Sequence, residues 1–415
     1  MTDEAAIRVG PLAHLTVLDL TQHLSGPFAT QILGDLGARV IKVEPPAGDP
    51  TRRIGPYFED GDSDYFLSVN RNKESVVIDL KAPGGREALL ALAARSDVVV
   101  ENFRPGTLER LGIEFSALLE ANPRIVLCSL SGFGQDGPYR LLPAFDIIVQ
   151  GISGGMSLTG EPEGKSVRSG LPIGDVTAGM YGVIGTLAGL AEVATTGRGT
   201  QVDIAMLDTQ VSLLSYVATY YLASGIVPGR QGRDHMSIPT YRALECGDGR
   251  EIVVAANTEA FWPGLARALG LAELIDDERF RDNDARREHR AELSAAMEAA
   301  AAGLAAEELI ARLRAEGVPS APINNVAEAL ADPQIAARGM VVTLEGRGDG
   351  IRAVGNPVKM PGVRPSFDAP PRLGADTQAV LREVAGYDGD RLIELASAGA
   401  IPAAAASDAE AVRYD

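Results

Sequence analysis

Asp175 stands apart from the other acidic residues: it has no acidic neighbour within ten positions on either side. Glycine-rich stretches precede it, GISGGMSLTG from Gly151 and SGLPIG from Ser169, and VTAGMYGVIGTLAGLA follows from Val176. The nearest basic side chains before it are Lys165 and Arg168. A lone carboxylate there has two compatible readings. It can cap the apolar helix that follows, accepting from free backbone N–H groups. It can also attack an electrophile and form a covalent intermediate. A place near a helix N-terminus is expected to depress its pKa and keep it ionised at neutral pH.

Other residues offer less. His23 lies in the first strand-to-helix loop and His235 in a Gly/Arg/Pro-rich linker, and neither has a Ser or Cys partner at recognisable spacing. A Ser–His–Asp hydrolase is therefore not expected. Glu44, Glu101 and Asp79 end strands, where ligand residues gather. Arg39, Lys42, Arg52, Arg53, Arg71, Lys73, Lys81, Arg104 and Arg110 crowd the first third of the chain. Each reads alone as surface charge, and together as a set for the phosphates of a nucleotide-bearing ligand. Gly132, Gly134 and Gly137 formally match G-x-G-x-x-G, but Pro138 and Pro143 stop a helix from opening there, so a dinucleotide fingerprint is not expected. Cys128 and Cys246 are far apart and the four histidines show no H-x-x-x-H pair. No metal site is expected, and a reducing cytoplasm is.

The elements that must position Asp175 follow from hydrophobic runs. LTVLDL, RVIKVE, SVVIDLK (75–81), DVVVENF (97–103) and RIVLCSL (124–130) read as strands, with helices between them. Ser25-Gly26-Pro27 reads as a turn leading into the first helix, and 45–74 as a long loop. The alternation points to a parallel, doubly wound α/β domain. Beyond Asp175, 197–225 reads as a strand and one long helix. A linker then opens a small second domain with helices near 259–269 and 285–316. From Val326 the chain returns to strands and a last helix over 376–399. The boundaries expected are 1–225, 226–325 and 326–415. The Ala-rich tail is expected to be disordered, and the acidic, polar start to carry no secretory signal.

The 415-residue chain is 46% apolar and carries a formal net charge of −18. That charge argues against nucleic acid or an anionic membrane as partner, since both call for a basic face. The longest uncharged run, Val176 to Ala191, has 16 residues. It falls short of the roughly 20 that span a bilayer.

Longer stretches carry a resemblance. SGPFATQILGDLGARVIKVEPPAGDPTR, RNKESVVIDLK, VENFRPGTLERLG, SGFGQDGPY, the Asp175 segment, GRGTQVDIAMLD and EGVPSAPINNVAEALADPQIAARGM resemble the class III CoA-transferases, the family of formyl-CoA and carnitine CoA-transferases. SIPTYRALECGDGR, PINN and LASAGAI look most like the branch that uses succinyl-CoA with dicarboxylate acceptors. The resemblance implies a Rossmann-like large domain that binds CoA, a smaller α/β domain from the middle of the chain, and an interlocked homodimer. CoA and acyl-CoA enter as substrates, and no permanent cofactor is implied. Asp175 matches the family's catalytic aspartate, which becomes an aspartyl-CoA thioester. CoA contacts carry over to Ile78, Asp79, Lys81, Asn102, Phe103 and Arg110. His23, Arg168 and His235 are candidates for holding the acid substrate.

The chain departs from formyl-CoA transferase at Leu24 and Pro45, which replace a glutamine and an arginine, and it lacks a visible polyglycine loop. The α-methylacyl-CoA racemases belong to the same family and are the rival. Their second acid–base group is a histidine where this chain has Phe145, and racemisation needs a proton carrier on each face of the α-carbon. A CoA-binding module without catalysis is the third possibility, and it would not need Asp175.

Overall fold

The computed structural model describes residues 10–347, 350–361, 363 and 366–403. The tail from Ala404 and the first nine residues lie outside the described residues, as do the expectations made for them. The chain forms two compact units: Met1–Gly155, Ser169–Ala218 and Ala337–Asp415 make the first, Met156–Arg168 and Thr219–Ala336 the second.

The first unit is built on one sheet. Strands β1 (Thr16–Asp19), β2 (Arg39–Glu44), β3 (Lys73–Val77), β4 (Val98–Glu101), β5 (Val126–Ser131) and β6 (Thr200–Ala205) run in the order β3-β2-β1-β4-β5-β6. Every neighbouring pair is parallel. The inner strands β1, β4 and β5 are rich in Val and Leu because both faces are covered, whereas the edge strand β6 (TQVDIA) leaves Gln201 and Asp203 exposed. Leu18, Ile41, Val76, Val99 and Leu127 turn to one face, against helix α3 (Gly85–Ala93; α1 and α2 are placed below) and the C-terminal helices Thr377–Glu383 and Gly389–Ser397. Val17, Val40, Val98, Val100 and Val126 turn to the other, against α1 (Ser25–Asp35) and α5 (Ile173–Thr196). Strand order reverses between β1 and β4. In such sheets ligands sit beyond the strands' carboxyl ends at that reversal.

Helix α5 carries Asp175 and lies close upon its neighbours. A Cβ at Gly179 would sit 2.7 Å from Ser25 O of α1, and one at Gly189 2.9 Å from Val126 Cγ1 of β5. Glycine at these positions lets the helix descend onto α1 and the sheet. At 24 residues α5 is longer than its uncharged run and meets the length and composition of a bilayer span. Gly174, Thr177, Ala178, Val183 and Val193 are buried against protein instead. Its N-terminus points to the carboxyl ends of the strands, because its first turns meet α1 and its later turns meet the start of β5.

The second unit is smaller. Strands β7 (Tyr241–Glu245), β8 (Glu251–Ala255) and β9 (Ser320–Pro322) form an antiparallel sheet in the order β9-β8-β7. Leu244, Ile252, Trp262, Leu265, Leu293, Leu309 and Leu313 pack together as its core.

Five expectations about elements need correction. Ser25-Gly26-Pro27 is not a separate turn but the first turn of α1, where the missing proline N–H has no partner to lose. The stretch 45–74 is not one loop: it holds a short 3-10 turn, the hairpin Phe58–Glu59/Asp62–Ser63 and helix α2 (Asp64–Val69). The helix after β6, α6 (Met206–Ser212), stops early and Ser215 takes φ +46°. The Ala-rich stretch 285–316 and the final 376–399 are also divided, into helices separated at His289, near Gly303 and at Gly386.

Candidate functional site

Asp175 lies in the first turn of α5 but caps nothing. Pro172, at the cap position, has no side chain able to accept a hydrogen bond. The cap comes from helix α4 (Asp146–Ile152). Asp146 Oδ1 accepts from Gly174 N at 2.7 Å, and Asp146 Oδ2 accepts from Gln150 Nε2 at 2.6 Å. Gln150 Oε1 in turn accepts from Ser169 N at 2.9 Å. The capping reading of Asp175 is thus replaced by a cap from another helix, and the Asp175 carboxyl is left for other use. Its expected depressed pKa is also reversed. Burial, and then the negative charge of Asp146, push it up to about 7. No acidic residue is near Asp175 in sequence, but one is near in space.

The loop between β1 and α1 reaches the same place. Thr21 is held through its N–H and Oγ1 by Asp19, and its carbonyl accepts from Lys42 Nζ at 2.8 Å. Lys42 also pairs with Asp49 at 2.9 Å, both side chains being fully buried. Asn102 grips the backbone of Gln22: Oδ1 accepts from its N–H at 2.9 Å and Nδ2 donates to its carbonyl at 2.7 Å. His23 then takes φ +66°, an uncommon conformation for a non-glycine residue that this tethering holds in place. Its ring meets Phe145 edge-on, with centroids 6.2 Å apart at 89°. Phe145 directly precedes Asp146, so His23, Phe145, Asp146 and Asp175 share one neighbourhood. Tyr65 of α2 joins them. Burial, and then the charges of Asp175, Asp49 and Asp146, raise its pKa to about 12.

The CoA-candidate residues fall beyond the ends of β3 and β4. Asn102 and Phe103 follow β4, at the reversal of strand order. Ile78 is buried in the core and its N–H donates to Glu44 O, while Asp79 N donates to Ala400 O. Asp79 Oδ1 accepts from Lys81 N at 2.9 Å, and Lys81 is exposed. Phe103 packs on the core edge, and exposed Arg110 donates to Thr107 Oγ1. Arg168 and His235 both lie in the second unit, where Arg168 is exposed and His235 Nδ1 accepts from Ser237 N at 3.1 Å. A cavity opens beside β4 and β5, lined by Glu101, Arg104, Phe115, Ser129 and Gln135. No α5 residue lines it, so it is not the Asp175 neighbourhood.

The crowd of basic residues divides. Arg39 pairs with Glu74 and Glu383, Arg52 with Glu44 and Asp62, and Arg71 with Asp35. Lys42 and Lys73 are buried against Asp49 and Asp19. These five hold the fold together, and Glu44 belongs with them. Arg53, Lys81, Arg104 and Arg110 are exposed and remain as candidates for phosphate. Gly151 to Gly155 formally matches the serine nucleophile elbow, but Ser153 ends helix α4 with Oγ donating to Gln150 O, not at a strand-to-helix turn. Tyr65, Asp146 and Gln150 were missed in the sequence. Tyr65 sits in a stretch that reads as loop, and the one signal for Asp146 was its place after the SGFGQDGPY loop.

This is the layout of an α/β enzyme, with a raised-pKa carboxyl at a helix start beside the carboxyl edge of a parallel sheet. The chain belongs to CoA-transferase family III, whose model matches residues 12–377. It is therefore an enzyme whose class takes CoA thioesters as substrates and needs no resident cofactor. It is 38% identical to the human succinyl-CoA:glutarate CoA-transferase over 95% of this chain and 90% of that one. It is 38% identical to the acetyl-CoA:oxalate CoA-transferase of Acetobacter aceti, over 91% of this chain and 96% of that one. A solved CaiB/BaiF family protein from Brucella suis superposes with a TM-score of 0.81 at 37% identity, covering 91% of this chain and 100% of that one.

Proposed function

We propose that this enzyme moves CoA from succinyl-CoA to a dicarboxylic acid through a covalent intermediate on Asp175. The observation that carries it is the state of Asp175: half-buried, free of capping duty and raised to about 7. A carboxylate of that basicity is a better nucleophile than an ordinary aspartate yet still ionises near neutrality. The names of the relatives support the substrates, since glutarate and oxalate are both dicarboxylates.

The steps balance without added protons. An Asp175 oxygen attacks the succinyl carbonyl and the C–S bond breaks, giving a mixed anhydride and CoA thiolate. The thiolate attacks the aspartyl carbonyl and releases succinate, leaving an Asp175–CoA thioester. The acceptor carboxylate attacks that thioester, and the released thiolate then takes the acceptor acyl group and frees Asp175. Exclusion of water keeps the thioester energy in these exchanges. Phe145 has no proton to exchange, which weighs against a racemase.

Within this reading the first unit is the Rossmann-like CoA-binding part. Ile78, Asp79, Lys81, Asn102, Phe103 and Arg110 are its CoA contacts, with Asn102 and Phe103 at the strand-order reversal and Lys81 and Arg110 exposed. His23 beside Phe145 is the acid-binding candidate in the first unit, with Arg168 and His235 as candidates from the second. The enzyme works as a homodimer. Met180, Tyr181, Ile184 and Leu187 of α5 and Val211, Leu213 and Tyr216 after β6 are exposed and apolar, more than a lone enzyme leaves to water. Two buried free cysteines suit the cytoplasm. The test is an acceptor panel of glutarate, itaconate, malate, citramalate and mesaconate with succinyl-CoA, read as new acyl-CoA. Transfer to one or more is expected. α-Proton exchange of a 2-methylacyl-CoA without transfer would sink the reading.

A further inference from the structure

We infer that Asp146 and Gln150 are a positioning pair for Asp175, fixing the entry of α5 and placing beside the nucleophile a like charge that the covalent step relieves. The inference rests on the proposed Asp175 chemistry and deepens it.

The geometry comes first. The chain between Ser169 and Gly174 is suspended at both ends from one pair. Gln150 takes Ser169 N and Asp146 takes Gly174 N, and the two side chains join each other one helical turn apart on α4. Gln150 is 3% exposed, so its amide is committed inside the protein. A Cβ at Gly174 would sit 2.9 Å from Asp146 Oδ1. Glycine there lets the carboxylate reach the amide. The residue so held is the one directly before Asp175.

The charge follows from the same arrangement. A helix N-terminus left open stabilises a carboxylate in its first turn. Here Asp146 takes an amide of that turn and adds its own negative charge. Burial and then Asp146 raise the Asp175 pKa. The surrounding titratable groups are Tyr65 from α2, Asp49 beyond β2 and His23 beyond β1. Helix α1 presents Ser25 and Phe28 to α5, and α6 presents Met206 and Gln210, none of which titrates. When Asp175 attacks, a C–O bond forms, the C–S bond breaks, and the charge leaves with sulfur. Repulsion between Asp146 and Asp175 exists before that step and is gone after it.

The experiment measures kcat/KM against pH for the full-length enzyme with succinyl-CoA and glutarate, in the parent, Asp146→Asn and Gln150→Ala. Intact mass after succinyl-CoA is recorded for each. The parent is expected to lose activity below about pH 7, where Asp175 takes up its proton. Asp146→Asn keeps an acceptor for Gly174 N and loses the charge. Its acid limb should move down by about half a pH unit or more. Gln150→Ala keeps the charge and loosens the segment. Its limb should stay while kcat drops about tenfold. An unmoved limb in Asp146→Asn, with the Asp175 adduct still forming, overturns the inference and leaves the function standing. A parent that never forms the adduct overturns the reading beneath it. Should Asp146→Asn not fold, Gln150→Ala decides: an unchanged kcat contradicts the pair's role.

Discussion

A titration near 7 has a price in stability at Asp175. Its carboxyl has an ordinary value of 3.8 and is raised to about 7 here. The folded protein thus holds this proton more tightly than the unfolded chain does, so stability falls as pH rises from about 4 to about 7 and stays lower above. Asp175→Asn removes that penalty. At pH 8 the variant is expected to be inactive and more stable than the parent by about 1–2 kcal/mol, a gain that shrinks towards pH 4. The linkage value is discounted because the carboxyl keeps some solvent. Urea melts at the two pH values check it, and a variant less stable than the parent at pH 8 would contradict the raised pKa. Asp175 itself was legible in the sequence because it is isolated among small apolar residues. Its pKa was not, because burial by the folded chain raises it first and the charge that adds to it, Asp146, comes from another helix. Tyr65 was hidden for a related reason: α2 is one short helix in a stretch whose Pro, Gly and Asp content reads as loop.

Among the elements, the close approach of α5 to α1 positions Asp175. Gly179→Ala would force a methyl to within 2.7 Å of the Ser25 carbonyl, which is backbone and cannot turn aside. A loss of about 1–3 kcal/mol is expected, with lower activity because the shift moves the β1–α1 loop that carries His23. Gly182→Ala, one turn along, would meet Leu130 Cδ2 at 3.0 Å, the end of a flexible side chain. It should be tolerated within about 1 kcal/mol. Denaturant midpoints for the two variants separate these outcomes, and equal effects would contradict the close-approach reading. The inner strands β1, β4 and β5 were legible because parallel strands buried on both faces read as apolar runs. The helix breaks were not, because Ser215 adopts φ +46° without a glycine to announce it, and the Ala-rich run through His289 has helix propensity on both sides of its break.

At the scale of the molecule, a buried ionic set ties the returning C-terminal segment to the N-terminal sheet. Arg52 joins Glu44, Asp62 and the carbonyl of Pro371, and Arg347 joins Asp60, Asp62 and the carbonyl of Pro370. Arg52→Ala leaves Glu44 buried with its main partner gone, and a loss of about 3–5 kcal/mol is expected. Thermal unfolding of Arg52→Ala and of exposed Arg53→Ala provides the comparison, with little change expected in the second. Arg52 read in sequence as one of a phosphate-binding set because spacing cannot show which cations already have buried partners. The proposed homodimer is checked by light scattering across micromolar concentrations, where a monomer at every concentration would contradict it.

The central claim is that Asp175 carries CoA. The direct measurement is peptide mass spectrometry after incubation with succinyl-CoA, followed by hydroxylamine or borohydride. A hydroxamate or a reduced side chain is expected at Asp175, absent in Asp175→Ala, which stays folded and still binds CoA. Full transfer activity in Asp175→Ala, or a modification on any residue other than Asp175, would contradict it.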